Sequence, residues 1–159
     1  MVSEVQPSRE QDLGWLLRGL VESVPHTRSA VLLSADGLAT AAHGLGPDHA
    51  DQMSAIASGL FSLARTAAVR FGGSDGVRQV VAELDDTLLF VSSAGYGSVL
   101  TVLADREADA GVLGYEMAQL VKSVRPFLAT PARQAGGAAG SAAGSAAPGA
   151  SGTGLAAQT

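Results

Sequence analysis

The stretch PDHADQMSAIASGLFSLARTAAVRFGG, Pro47 to Gly73, decides how this chain folds. Pro47 or Asp48 near its start and Gly72 and Gly73 past its end are the start and stop signals of a helix. About 24 residues in that state extend about 36 Å, which is long for a small domain. Met53, Ile56, Ala57, Leu60, Ala64, Ala67 and Phe71 make one apolar stripe. The other stripe holds Ser54, Ala55, Ser58, Gly59 and Ser62, continued by Arg65, Thr66 and Val69. A stripe facing solvent ordinarily carries Glu, Lys and Arg, whereas small side chains let a second backbone come close. The helix therefore reads as packed on two sides, its bulky residues on its own sheet and its small ones against a partner. A chain-wide bias toward Ala and Ser is the alternative explanation of the small stripe.

Working outward toward the N-terminus, SAVLLS is an apolar run suited to a buried strand, and LATAAH returns from it after the Asp36-Gly37 pair. Asp-Gly between two apolar strands predicts a hairpin turn, because both residues can take positive φ. Asp36 and His43 are then a bend and a strand end, several residues apart, rather than an acid/base pair. Upstream, Leu13, Leu16, Leu17, Leu20 and Val24 recur at helical spacing up to Pro25. Trp15 points away from these leucines. It either lies flat over a neighbouring element or stands out as an anchor for a partner.

Toward the C-terminus, VRQVVAEL, TLLFVSSA and SVLTVLA read as strands joined by Asp85-Asp86 and by Gly95-Tyr96-Gly97. Such short connections exclude parallel crossovers and predict an antiparallel meander. In the first of the three, Val77, Gln79, Val81 and Glu83 alternate with Arg78, Val80 and Ala82, which suits a partly wet face or a sheet edge. A final helix, about Asp109 to Arg125, aligns Val112, Leu113, Met117, Leu120, Val121 and Val124, with Pro126 helping to end it. The order is helix, two strands, helix, three strands, helix.

Composition narrows the function. The chain has 10 basic and 15 acidic residues, a net charge of −5, which is the wrong balance for binding a phosphate backbone. It has no Cys and three scattered His, so neither a disulfide framework nor a thiolate zinc site is available. No apolar run approaches the ~18 residues of a membrane span, and the polar start is not a secretory signal, so a soluble cytoplasmic protein without membrane insertion is expected. Residues 1–10 read as a flexible N-terminus, 11–130 as one folded domain, and 131–159 as a disordered Ala/Gly/Ser-rich tail serving as tether or spacer.

The chemical candidates are weak. Asp48, His49 and Asp51 gather at a helix start, where capping and the helix dipole explain acids without a metal. FGGSDG leaves a helix and enters a strand, the reverse of a phosphate loop, and lacks its Gly-Lys-Ser/Thr. SSAGYGS has serines but no strained nucleophile elbow. No catalytic, cofactor-binding or metal residue is assigned.

LGWLLRGLVESVP, LLSADGLATA, AIASGLFSLARTAAVRFGG, VRQVV and GVLGYEMAQLV, taken with the element order, resemble the Roadblock/dynein light chain family, in particular its short actinobacterial members. The resemblance spans roughly Gln11 to Arg125. It implies an α+β fold, a five-stranded antiparallel sheet with the long helix on one face and the first and last helices on the other. It also implies homodimers or heterodimers, formed by pairing the strand after the long helix edge to edge while the two long helices pack together. The implied interface here is Ser54, Ala55, Ser58, Gly59, Ser62, Arg65 and Thr66 on the helix, with Val77, Gln79 and Val81 on the strand. Family members act as non-catalytic platforms for Ras-like small GTPases, and some bacterial members speed GTP hydrolysis. The actinobacterial ones accompany a sensor-kinase-like membrane protein. Arg65 and Arg70 are the candidates for an arginine finger, on the ground of their helix alone. A ligand-sensing module, with a small molecule held between sheet and helix, is the competing reading.

Overall fold

The computed structural model describes residues 6–129, and the expected tail lies outside the described residues. Three helices and five strands follow the predicted order: α1 Gln6–Ser23, β1 Thr27–Leu33, β2 Ala39–His43, α2 Pro47–Ala67, β3 Gln79–Glu83, β4 Thr87–Gly95, β5 Ser98–Asp105 and α3 Ala110–Leu128. Helix α1 begins before the expected Gln11, so Gln6–Glu10 of the supposed flexible N-terminus are helical.

The strands form one antiparallel sheet in the order β2-β1-β5-β4-β3. Side chains alternate across each strand, so every strand feeds two layers. Ala30, Leu32, Leu88, Phe90, Leu100 and Val102 point to one side, where they pack with Leu13, Leu17 and Leu20 of α1 and Leu113, Met117 and Val124 of α3. Leu33, Leu89, Val91 and Val99 point to the other, under Ala57 of α2 and the half-buried Met53, Leu60 and Phe61. The architecture is the sheet sandwiched as expected, two helices against one. The two layers differ in depth, since a single helix covers far less of a five-stranded sheet than a pair does.

Turn chemistry fixes the register. The Tyr96-Gly97 loop between β4 and β5 holds both residues at positive φ, 55° and 78°, the twist that a two-residue hairpin needs. A Cβ added at Gly97 would lie 2.8 Å from the Ala35 Cβ, so the site tolerates only glycine. The β1–β2 turn differs from expectation. Only Gly37 has positive φ, 79°, and the Gly37 N–H donates to the Ser34 carbonyl at 2.9 Å. This is a three-residue loop, a type I turn closed by a left-handed glycine, and Asp36 needs no strained backbone. The bend otherwise stands as read, because Ala30 pairs with His43 at the opposite end of the hairpin from Asp36.

Pro126 does not end α3, which runs two residues further. A proline disrupts the bond to the carbonyl four residues back, and this close to the terminus the last turn survives that loss. At the other end Asp109 caps the helix, its Oδ1 accepting from the N–H groups of Gly111 at 2.9 Å and Val112 at 3.0 Å. Replacing Asp109 by alanine is expected to cost about 1 kcal/mol of unfolding free energy, and Asp109→Asn to recover most of it, in urea melts.

Candidate interaction surface

Helix α2 is a two-faced rod: Met53, Ala57 and Leu60 face the sheet as the spacing suggested, but Ser54 and Ile56 have exchanged sides. Ala50, Ser54 and Ala57 are the residues it buries, at spacings of four and three. Ser54 is 0% exposed, against its own sheet, and its Oγ donates to the Ala50 carbonyl at 2.8 Å. Ser58 is half-buried beside the β1–β2 turn, where a Cβ on Gly37 would come within 3.0 Å of its Oγ. Ser54 is thus unavailable to a partner, and this corrects the expected interface. A serine that bonds its own preceding turn carries no orphan polar atom, so it can be buried, and its small size lets the helix lie close on the sheet.

What α2 turns outward is bulkier than expected. Ile56 is 53% and Leu63 70% exposed, with Ala55, Gly59, Ser62, Arg65 and Thr66 also on the surface. Ile56, Gly59 and Leu63 are spaced by three and four, so they line one stripe. The seven-residue interval between Ile56 and Leu63 carries that signal in the sequence; Ile56 is expected on the inward stripe, and Leu63 is on neither stripe. A Cβ built on Gly59 meets nothing within 4 Å, leaving an open notch between the two. Past Ala67 the helix widens into a π-helical turn, Ala68–Gly72, before Gly73 ends it in the left-handed region at φ 74°. There Phe71, expected on the sheet side, is 88% exposed, beside exposed Val69 and Arg70. Ala67, also expected on the sheet side, is exposed as well.

Strand β3 lies at the sheet edge, as its mixed alternation foretold. It pairs with β4 through Val81 opposite Phe90, and among the described residues its other edge pairs with no strand. Val80 and Ala82 lean on the α2 layer. Val81 shares the face of Phe90, the α1/α3 side, and is 50% exposed; Gln79, on the same face, is near Gly114 of α3. Of the expected interface residues, the side chains of Gln79 and Val81 therefore sit across the sheet from those of α2, and the two sets meet only through the backbone of the edge. Val77 is half-buried just ahead of the strand. An edge of five residues without Lys or Pro lacks the usual guards against pairing with another strand.

The space under α2 near Leu33, Phe61 and Val99 holds about 80 Å³, against the ~300 Å³ or more of a typical ligand pocket. On the other face Trp15 stands exposed at the rim of a groove between α1 and α3. No helix among the described residues is long and apolar enough to cross a membrane.

Residues 13–104 match the family model of the Roadblock/LC7 domain. The crystal structure of a Roadblock/LC7 domain from Streptomyces avermitilis is 69% identical, covers 74% of this chain and 98% of its own, and superposes with a TM-score of 0.71. A second Roadblock/LC7 domain from the same organism is 38% identical, with 70% and 96% covered and a TM-score of 0.58. The gliding protein MglB of Thermus thermophilus shares the fold at 16% identity, TM-score 0.68, over 76% of this chain and 90% of its own. No curated protein sequence matches the chain.

Proposed function

Because this chain belongs to the Roadblock/LC7 domain family, we propose that it is a non-catalytic homodimeric platform for a Ras-like small GTPase in a cytoplasmic signalling module. The observation that carries the reading is the exposed Ile56–Gly59–Leu63 stripe together with a β3 edge that pairs with no strand among the described residues. Two copies related by a twofold axis bury both at once: α2 packs on α2 across the Gly59 notch while β3 pairs antiparallel with its twin. Centring that pairing on Val81 sets Glu83 opposite Gln79 of the second copy, so no like charges face each other. The thin α2 layer of each copy is thereby covered.

The dimer offers a continuous ten-stranded sheet with paired helices as the surface for the GTPase, and a sensor-kinase-like membrane protein is its proposed input. Any acceleration of GTP hydrolysis falls to an arginine. Arg65 and Arg70, along the exposed side of α2 and its π-helical end, border one shallow groove with Ser62 and Thr66. The test is to mix the purified chain with its candidate GTPase loaded with GDP or with a non-hydrolysable GTP analogue. A complex in at least one state is expected. If one of the two arginines is the finger, its change to alanine leaves the complex intact and removes an acceleration of about 10³-fold or more. No complex in either state, with hydrolysis unchanged, overturns the reading.

A further inference from the structure

The sequence scatters its three histidines, and none was expected to hold a metal. The fold brings one of them to two carboxylates from a turn 79 residues further along. We propose that His26, Asp105 and Glu107 form a binding site for a transition-metal dication of the Zn²⁺ type, which staples the α1–β1 turn to the β5–α3 turn.

One ligand atom from each of the three side chains lies within 4.8 Å of the others. The backbone beneath them is set before any ion arrives. His26 sits at the α1–β1 turn in the left-handed region, φ 67°, a conformation that costs a residue with a Cβ about 1 kcal/mol or more. Its carbonyl accepts the Asp105 N–H at 2.8 Å, and the Asp105 carbonyl accepts the Ala108 N–H at 3.0 Å. The first of these bonds ties the two turns together where the three ligand atoms gather.

The charge balance asks for a cation. Two carboxylates this close repel, and the guanidinium of Arg28 answers one of them by donating from Nε to Asp105 Oδ1. With a neutral imidazole the cluster keeps one net negative charge. Asp105 Oδ2, the Glu107 carboxylate and an imidazole nitrogen are then the donors on offer, with water to complete the shell.

One nitrogen and two oxygens suit zinc and its neighbours in the first transition row. Magnesium prefers an all-oxygen shell and parts reluctantly with its waters, so the same donors discriminate against it. Ligand atoms around a tetrahedral zinc stand about 3.4 Å apart, given bonds of about 2.0–2.1 Å. His26 and Glu107 are exposed and Asp105 is half-buried, so closing to that spacing from within 4.8 Å needs only side-chain rotation at the surface.

Titration of the full, metal-stripped chain with ZnCl₂, followed by calorimetry and by thermal melting, tests the site. One Zn²⁺ per chain is expected, with a melting temperature raised by about 4 °C or more at saturation, and no rise with MgCl₂. His26→Asn keeps a residue that tolerates the left-handed backbone, and Glu107→Gln changes an exposed side chain. Each is expected to weaken zinc binding about tenfold or more without lowering the metal-free melting temperature. His49→Ala, at the start of α2, is expected to leave binding intact. Absence of binding, or binding that survives both His26→Asn and Glu107→Gln, or binding lost in His49→Ala, overturns the proposal.

Discussion

Changing Ile56 and Leu63 together to aspartate is expected to yield a folded monomer. Both side chains are more than half exposed in the single chain, so neither change removes a contact of the core. In the proposed dimer both are buried twice over. Full burial of an Ile or Leu is worth about 1.5–3 kcal/mol, and stranding an unpaired charge at a dry interface costs several more. A loss of about 4 kcal/mol corresponds to a dissociation constant raised about 10³-fold. Light scattering after gel filtration reads the mass, and far-UV circular dichroism checks that the helices persist. A variant that still elutes as a dimer would place the contact elsewhere.

Replacing Phe90 by alanine has the largest expected effect on the fold. Phe90 is 1% exposed at the centre of the deep layer, in the strand between β5 and the edge strand β3. Truncating a buried Phe costs about 3–5 kcal/mol, the transfer of the ring plus the cavity it leaves. For a domain of this size that lowers the melting temperature by roughly 10–20 °C. Val81, opposite Phe90 on the edge, rides on the same strand pair, so the damage also loosens the edge proposed for pairing. An alanine variant that melts within a few degrees of the parent chain would mean that the two helices of this layer do not pack on β4 as described.

The order of the elements was legible because each one repeats a period. Leu13, Leu17, Leu20 and Val24 mark α1 by threes and fours, and Gly95-Tyr96-Gly97 can be little else than a hairpin turn. The edge position of β3 also showed, through polar Gln79 and Glu83 sharing a face with Val81. The faces of α2 showed only in part. Met53, Ala57 and Leu60 do face the sheet as expected, but the close approach of the helix put Ala50 and Ser54 inward beside them and left Ile56 out. Ser54 could be spent there because its hydroxyl bonds the turn before it. The correction changes the character of the proposed contact, from a polar strip of serines to an apolar strip with a glycine notch. The meeting of His26 with Asp105 and Glu107 had no local signal, since it depends on β1 lying beside β5, a pairing that no neighbouring residues announce.

The account rests on a second copy of the chain covering α2 and the β3 edge. Sedimentation equilibrium of the unaltered protein, over micromolar to submillimolar concentrations, tests that most directly. A mass twice the 15.9 kDa of one chain is the predicted result, falling toward 15.9 kDa only on dilution. A mass of 15.9 kDa at every concentration would contradict it.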